Sequence, residues 1–436
     1  MTKKKREAKS IKEGKKMWHK ESYNISYLPH EAFSGISHLP GAILLETQLP
    51  DAENRYSYLA CEPETVFEAD VIDTSFGTFN RFLEAYLPIY FIAGYIGYEA
   101  CQWIEKLPLP GEKDINHPQI YLAAYPYFWQ YDHLQKKWWL WCKEPSGKIK
   151  LPPPLSMSSL IEKAKYLGAN QTKKQYIKNV QAILDYIKAG DVYQVNYTQR
   201  FYFEYPSNPY ILYLQLRTVQ PVNYAAFINT GKGVVISASP ELFLRIKGNK
   251  ILTKPMKGTR PRGKTLSLDR KLKQELMTNS KERAENVMIV DLMRHDLGKF
   301  CVPGSIKTWP LFRVETYQTV YQMVSHVTGI IKPGVTLGQI FQSTFPPGSV
   351  TGAPKKRAME IIYNLEFQSR GVYTGIIGYA WQKEMAFNVA IRTLELVNQK
   401  VVMGAGGGIV VDSDPKAEYA ESLLKAKATM EALRIL

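Results

Sequence analysis

The chain has 436 residues, of which 45% are apolar and 22% charged, and its formal net charge is +16. This composition is typical of a globular protein and excludes the collagen-like, disordered and coiled-coil classes. No apolar run approaches the roughly 18 residues that cross a bilayer, and no apolar segment follows the basic N-terminus, so we expect neither a membrane span nor a secretory signal. The four cysteines stand far apart without a CxxC pair, which argues against a zinc site or a disulfide framework and favours a reducing cytoplasm.

Nearly half of the net charge lies in residues 1–20. This basic tail holds nine basic and two acidic side chains, a net +7, which leaves +9 for the other 416 residues. We predict a flexible, solvated tail. The alternative is an arm that contacts a polyanion such as a nucleic acid. Because the excess charge is local, a nucleic-acid-binding protein is the less favoured class.

Residues 21–150 are predicted to form an N-terminal lobe of short strands. Their apolar stretches are brief and are separated by Gly, Pro, Asn and Asp. The stretch 151–154 carries three successive prolines, which can continue neither a helix nor a central strand. We place a soft boundary there and assign residues 160–436 to a second, catalytic lobe.

The second lobe alternates between helices and strands. The predicted helices are Thr172–Ala189, Lys281–Leu297 capped by Asn279 or Ser280, one with Pro354 at its first position running through Asn364, and a last one starting at Asp414-Pro415. The predicted strands are Asp191–Phe203, Val234–Ile246, Ile251–Lys257, Gly375–Trp381, Ala386–Val397 and Val401–Met403, with a hairpin turn at Gly248-Asn249.

Two glycine-rich stretches are candidate anion sites. Gly406–Gly408 follow a predicted strand, and successive glycines let a backbone approach a ligand with its N–H groups toward an anion. Taken alone, they are better explained as a tight packed turn, and they match neither the Walker nor the dinucleotide-binding pattern. The turn 348–354 opens a helix, whose free N–H groups suit a carboxylate or phosphate, although capping by Ser349 or Thr351 also accounts for it.

Charged side chains add three further candidates. Glu418, Glu421 and Lys425 share one face of the last helix, although Glu421 and Lys425 also form an ordinary i,i+4 pair. Glu285 lies on another helix, and two such glutamates can hold one Mg²⁺ if the helices meet. Lys257 lies in a stretch of ten residues with four cations. That stretch is an exposed basic turn unless burial favours the neutral, nucleophilic amine of Lys257.

Together these segments resemble the chorismate-utilising enzymes, which include anthranilate synthase component I, aminodeoxychorismate synthase component I and the isochorismate and salicylate synthases. The resemblance is dense over 180–436 and thinner before 150. It implies an α+β, anthranilate-synthase-like fold, with two packed antiparallel β-sheets flanked by helices and the active site in the cleft. The stretches that carry it are Gly190–Asn196, Ser239–Glu241, Lys257–Gly263, Arg283–Asn286, Asp291–Arg294, Gly348–Pro354, Asn388–Arg392 and Gly404–Glu421.

Two positions favour one branch of this family. Members that add water to chorismate resemble one another in carrying lysine where this chain has Gln194, and anthranilate synthases carry alanine where it has Lys257. Lys257 beside Gln194 is similar to the aminodeoxychorismate branch, which makes 4-amino-4-deoxychorismate for 4-aminobenzoate and folate synthesis. Anthranilate synthase component I is the nearest alternative.

The resemblance also implies roles for individual residues. Lys257 would be the covalent nucleophile, Glu241 the general acid, and Glu285 with Glu421 the ligands of Mg²⁺. A separate glutamine amidotransferase subunit would supply ammonia, since the chain shows no amidotransferase signature, and this implies a heterodimer. Substrate would be bound by Gln194, Gly258, Thr259, Thr351, Tyr373, Arg392, Gly406, Gly407, Gly408 and Lys425.

A regular hairpin would conflict with the pairing of Glu241 and Lys257. With a two-residue turn at Gly248-Asn249, Met256 is opposite Glu241, and Lys257 then points to the other face. We therefore expect a bulge or similar irregularity, which Pro240 or Pro255 would mark. The family's tryptophan pocket would use Thr47 and residues 223–225, but Asn223 stands where proline is common, which argues against tryptophan binding.

Overall fold

The structure, a computed structural model, describes residues 18–23, 25–144, 149–155, 162–317 and 320–435, so most of the predicted basic tail over 1–20 lies outside the described residues. The α-helices are α1 (Pro29–Ser34), α2 (Phe76–Tyr86), α3 (Lys173–Lys188), α4 (Pro209–Val219), α5 (Leu266–Thr278), α6 (Ser280–Gly298), α7 (Leu337–Thr344), α8 (Lys355–Leu365) and α9 (Pro415–Ala432). Short 3₁₀ helices lie at Val71–Asp73, Tyr98–Trp103 and Gly348–Val350.

The β-strands fall into three sets along the chain. Before residue 150 they are β1 (His19–Tyr23), β2 (Ile43–Glu46), β3 (Tyr56–Ala60), β4 (Thr65–Ala69), β5 (Phe91–Ile96), β6 (Ile120–Tyr125), β7 (Tyr127–Asp132) and β8 (Lys137–Cys142). The middle set is β9 (Lys165–Ala169), β10 (Gln194–Glu204), β11 (Tyr224–Asn229), β12 (Val234–Ser239), β13 (Leu242–Lys247), β14 (Lys250–Thr253), β15 (Met256–Pro261), β16 (Lys307–Thr308), β17 (Arg313–Thr316), β18 (Val320–Val324) and β19 (Val327–Ile330). The last set is β20 (Gly352–Ala353), β21 (Ile376–Trp381), β22 (Glu384–Val389), β23 (Thr393–Val397) and β24 (Lys400–Ile409).

These strands form two large antiparallel sheets and one small one. A twelve-stranded sheet has the order β1-β8-β7-β3-β2-β11-β12-β23-β24-β10-β20, with β9 also paired to β10. A nine-stranded sheet has the order β16-β19-β14-β13-β22-β21-β5-β6-β4, and β15-β18-β17 form a three-stranded sheet. Both large sheets mix strands from before residue 150 with strands from after 160. The division into two lobes at this boundary stays a prediction.

The two large sheets pack face to face. Between them lies a core of apolar side chains from both sheets, in which the rings of Phe91 on β5 and Phe128 on β7 stack at 4.2 Å. Helices α2, α3, α6, α7 and α8 contribute to a second core with the nine-stranded sheet, while α1, α4 and α9 contribute to a third with the twelve-stranded sheet. The predicted α+β fold of two packed sheets flanked by helices is confirmed. The small sheet was not predicted.

The predicted helices occur because their end signals are local. Thr172, Asn279 and Asp414 each cap a helix by accepting a backbone N–H bond, at α3, α6 and α9. Pro354 was predicted at the first helical position of α8. That was wrong by one residue, because its extended backbone makes it the N-cap and α8 begins at Lys355. Within the described ranges, no helix is long and apolar enough to cross a membrane.

Three of the predicted strands were wrong in their continuity, and two of them break where the chain crosses between the large sheets. The stretch predicted as Val234–Ile246 breaks at Pro240-Glu241, so that β12 belongs to the twelve-stranded sheet and β13 to the nine-stranded sheet. The stretch predicted as Ala386–Val397 breaks in the same way between β22 and β23. A chain that changes sheets must leave its ladder, and both breaks lie where the two sheets meet.

Candidate active site

Glu241 lies at the crossing from β12 to β13. Its N–H donates to Ser239 Oγ at 3.2 Å, and its carbonyl accepts from the N–H of Val389 at 3.0 Å, so the backbone is fixed on both sides. Glu241 is 6% exposed, and its carboxylate faces the Ser349 hydroxyl and the Met256 N–H, both of which favour its ionised form. Sequence reasoning had considered Ser349 as a helix cap and missed this contact.

Lys257 reaches the same place because the strand before it also breaks. The stretch predicted as Ile251–Lys257 ends at Thr253, and after Pro255 the chain enters β15 in the small sheet, whose pairing with β18 is irregular between Met256 and Thr259. The hairpin ladder itself is regular where it exists, with Lys247 opposite Lys250. The expected irregularity is therefore present as a break, and the Met256 N–H turns toward the carboxylate of Glu241.

The environment shifts both pKa values in the direction that chemistry at neutral pH requires. Burial raises the pKa of Glu241 to about 7, against the opposing effect of the hydrogen bonds from Ser349 and Met256 and of the Lys257 charge. Burial lowers the pKa of Lys257, with Glu285 opposing the change and Lys425 adding to it. Both shifts favour the uncharged form of the group, which is the arrangement of an acid beside a nucleophile.

The glycine run forms part of strand β24, which corrects its interpretation as a loop after the strand or a tight turn. Gly406, Gly407 and Gly408 pair residue by residue with Thr198, Tyr197 and Asn196 of β10. A Cβ placed on Gly408 would lie 2.9 Å from Gln194 Nε2 and 3.3 Å from Lys257 Nζ. One on Gly407 would lie 3.2 Å from an oxygen of Glu418 and 3.4 Å from Lys425 Nζ. Because these glycines have no side chains, the side chains of Gln194, Lys257, Glu418 and Lys425 can pack directly against the backbone of β24.

Two carboxylates from different helices meet near Lys257. Glu285 on α6 and Glu421 on α9 interact electrostatically with each other and with Lys257. Burial raises the pKa of Glu285, and the charges of Glu282 and Glu421 add to the rise. Burial acts against ionisation of Glu421 as well, but Lys425, at 2.8 Å, holds its pKa below the usual value.

This donor set suits a magnesium ion. Mg²⁺ commonly takes one or two carboxylates and completes its shell with water and ligand oxygens. In the part of the chain that the structure describes, no group of three or more His, Cys, Asp or Glu side chains is placed to hold a metal. Glu285 and Glu421 repel each other electrostatically, and a bound cation would relieve that repulsion. They would supply the two protein ligands, and water and substrate oxygens would complete the shell.

The other predicted binding residues occupy several environments. Gln194 is fully buried, and neither atom of its amide has a hydrogen-bond partner among the described residues. Thr351 donates its hydroxyl to the Pro347 carbonyl at 2.8 Å. Tyr373 packs its ring against Gly404, where a Cβ would lie 2.2 Å from the ring. Gly258, with φ of 83°, and Thr259, opposite Gln322, follow Lys257 on β15.

Arg392 is a partly buried arginine whose contact with Gln220 was not predicted. Burial lowers its pKa to about 10, and across the described ranges it has no carboxylate partner. With its amide oxygen turned toward Arg392, Gln220 accepts hydrogen bonds from Nη1 and, at 3.1 Å, from Nε. Gln220 caps the end of α4, far from Arg392 in sequence, so no local signal identifies it. A partly buried cation held by a neutral amide is suited to a substrate carboxylate.

A cavity of about 90 Å³ lies apart from this site. It is lined in part by Thr47, Asn223, Tyr224 and Glu53, and so includes the residues that the family's tryptophan pocket would use. Glu53 also forms an ion pair with Lys254, three residues before Lys257. The expectation from Asn223 that tryptophan does not bind there stays a prediction.

The family model for chorismate binding enzymes matches residues 47–431. The chain belongs to this family. It is 37% identical to aminodeoxychorismate synthase component 1 of Bacillus subtilis, over 78% of this chain and 76% of that protein. It is 33% identical to anthranilate synthase component 1 of Synechocystis, over 88% of both chains. The crystal structure of anthranilate synthase component I from Streptococcus pneumoniae covers 88% of this chain and 94% of its own, at 29% identity and a TM-score of 0.77.

These relatives confirm the family resemblance, and they make the chain an enzyme that acts on chorismate. Names from two branches of the family match over most of the chain. The choice between those branches therefore depends on the chemistry of the site.

Proposed function

We propose that this chain is component I of an aminodeoxychorismate synthase, which converts chorismate and ammonia to 4-amino-4-deoxychorismate. The observation that carries the proposal is the placement of the Lys257 amine beside Gly408 and the buried acid Glu241. An anthranilate synthase has no need of a nucleophilic lysine at this position. The product would serve 4-aminobenzoate and folate synthesis.

The first half-reaction forms a covalent adduct. Neutral Lys257 attacks C2 of chorismate, the two conjugated double bonds of the ring each shift by one position toward C4, and the C4–O bond breaks. Hydroxide is a poor leaving group, so Glu241 transfers its proton to the departing oxygen, and water is released. The nitrogen of Lys257 is then a secondary ammonium bonded to C2, and Glu241 is a carboxylate.

The second half-reaction reverses the allylic shift. Ammonia attacks C4, both ring double bonds return to their first positions, and the C2–N bond breaks to release Lys257 as a neutral amine. The new C4 ammonium gives one proton to the Glu241 carboxylate, which restores the acid. The sum is chorismate and ammonia giving 4-amino-4-deoxychorismate and water.

Binding of chorismate, a dianion, falls to the cations of the site. Arg392 has no acidic partner among the residues of the described ranges, and Lys425 is held by Glu421 and by the Gly406 carbonyl at 3.0 Å. Because Gly407 and Gly408 have no side chains, Lys425 and Lys257 can lie directly against strand β24. We propose that Glu285 and Glu421 hold Mg²⁺, which when bound would offset the negative charge of a substrate carboxylate.

Removal of magnesium tests this assignment. We expect EDTA to abolish turnover and added Mg²⁺ to restore it. Glu285→Gln should raise the Mg²⁺ concentration for half-maximal rate by about 10-fold or more, because a neutral amide is a weaker ligand. The matched control is Asp291→Asn on the same helix, whose side chain is 60% exposed. Equal magnesium dependence in both variants would remove Glu285 from the site.

Ammonia is proposed to come from a separate glutamine amidotransferase subunit. Two observations support this partner: the B. subtilis relative is named as a component 1, and the sequence here carries no amidotransferase signature. We expect turnover of the isolated chain with ammonium salts but not with glutamine.

Product analysis decides the function. The full-length protein is incubated with chorismate, ammonium and Mg²⁺, and the products are separated and identified by mass spectrometry while pyruvate is assayed with lactate dehydrogenase. We expect 4-amino-4-deoxychorismate without pyruvate. Formation of anthranilate with an equal amount of pyruvate would assign the chain to anthranilate synthase component I and reject the proposal.

A further inference from the structure

Arg370 is a buried side chain whose five N–H groups are all used. It is 2% exposed, and it follows α8 in the turn that leads to Tyr373. Nε and Nη2 donate to the two oxygens of Glu366 at 2.8 and 2.7 Å. Nη2 also donates to the Asn196 carbonyl at 2.7 Å, and Nη1 donates to the Val350 carbonyl at 2.9 Å and to Thr374 Oγ1 at 3.3 Å.

These partners belong to three separate segments of the candidate active site. Asn196 lies on β10, two residues after Gln194, and its N–H donates to the Thr351 carbonyl at 2.8 Å. Val350 lies between Ser349, which binds the Glu241 carboxylate, and Thr351. Thr374 follows Tyr373 directly. A single guanidinium thus joins the strand of Gln194, the turn of Ser349 and the turn of Tyr373.

Arg370 is itself held from behind. Glu366 Oε1 also accepts the N–H and the hydroxyl of Thr198 on β10, at 3.0 and 2.9 Å. Glu99 accepts the backbone N–H groups of Arg370 and Gly371 at 2.6 and 3.0 Å. The guanidinium lies over the ring of Tyr98, 4.5 Å from its centre. These contacts fix the orientation of the planar guanidinium group of Arg370.

We propose that Arg370 is a positioning residue for the reaction, which holds β10, the Ser349 turn and the Tyr373 turn in the arrangement that chemistry at Lys257 requires. This inference rests on the proposed function only in that the site consumes chorismate. Five donors in a rigid plane are particular to arginine, whereas lysine offers three donors from one atom and cannot span the same carbonyls.

Arg370→Lys tests the proposal, with Arg55→Lys as the matched control. Arg55 is also bidentate, to Asp132 with Nε–Oδ1 of 2.8 Å, but it lies at the β3 and β7 end of the twelve-stranded sheet. We expect kcat for chorismate consumption to fall about 10²-fold in Arg370→Lys, the scale of a misplaced catalytic group, with a smaller change in KM. Arg55→Lys should leave kcat within about twofold of wild type even if its unfolding temperature falls.

A second variant keeps the test informative if Arg370→Lys does not fold. Glu366→Gln preserves size but removes the negative charge beside Arg370, and we expect kcat to fall about 10-fold in it with KM again less affected. A folded Arg370→Lys protein with wild-type kcat, or with its loss confined to KM, would overturn the proposal. Failure of both variants to fold would assign the network to folding and overturn it as well.

The readout separates this inference from the proposed function. Rates are followed as loss of chorismate, and the product is identified independently in the wild-type reaction. If the wild-type protein makes anthranilate, the proposed function is wrong. The role of Arg370 is still tested, because kcat is measured as loss of chorismate whichever product forms.

Discussion

Lys257→Met is expected to lower kcat by on the order of 10³-fold or more, the scale seen when a nucleophile is removed. Methionine keeps an unbranched side chain of similar length, so packing beside Gly408 changes little. What is lost is the amine whose pKa burial lowers and whose attack on C2 starts the proposed reaction. The measurement is kcat with saturating chorismate, ammonium and Mg²⁺, together with the identity of the product.

The covalent step has a second, direct signature. Wild-type protein mixed with chorismate without ammonium and quenched in acid should contain a species heavier by one chorismate less one water. Lys257→Met should lack that species. An unchanged rate and product in Lys257→Met would contradict the covalent mechanism.

Lys254→Met is the matched control for this experiment. Lys254 is buried and lies three residues before Lys257, but its ammonium pairs with Glu53 beside the separate cavity. Loss of this lysine should lower stability only modestly, because the ion pair that is broken has a half-exposed partner, Glu53, while the adduct still forms. Loss of the adduct in both variants would indicate that the substitutions disturb the local structure around β15. It would then not be evidence that the Lys257 amine forms the adduct.

The helices could be predicted because their signals are local. Thr172, Asn279 and Asp414 each accept a hydrogen bond from a backbone N–H no more than three residues later. Each cap can therefore be recognised from the sequence around it. The strand breaks at Pro240-Glu241 and between β22 and β23 could not be predicted in the same way. Each is a change of sheet, which depends on packing between strands far apart in the chain.

The same distinction explains the candidate site. Lys257, Glu241, Gln194 and the glycine strand were identified from motifs, and the structure brings them together at the breaks. Gln220 and Arg370 were missed, because their roles depend on contacts with residues many positions away, such as Arg392 and Asn196. Ser349 was in a predicted anion-binding turn, and only the fold shows that its partner is Glu241.

Glu241→Gln is expected to lower kcat about 10²–10⁴-fold, the usual contribution of a general acid, with little change in the binding of chorismate. The amide keeps the size of the side chain but has no proton to give to the leaving hydroxyl. The control is Glu46→Gln, which removes another buried carboxylate, 2% exposed and bonded to Tyr213 and Arg217 at the far end of β2. A similar loss of kcat in both variants would show that burial of the charge, and not acid catalysis, accounts for the effect.

The pH dependence of kcat/KM gives the sharper test of Glu241. The reactive form has Glu241 protonated and Lys257 neutral, so the wild-type rate should bend near pH 7, where the pKa of Glu241 lies. Above the higher of the two pKa values, Lys257 is already neutral while each further unit removes the proton from about nine tenths of the remaining acid, so the rate falls about tenfold per unit. In Glu241→Gln the rate should instead rise until Lys257 is neutral and then stay level, because no acid remains to be lost. A variant that keeps the alkaline fall would place the essential acid on another group and would leave Glu241 without its proposed role.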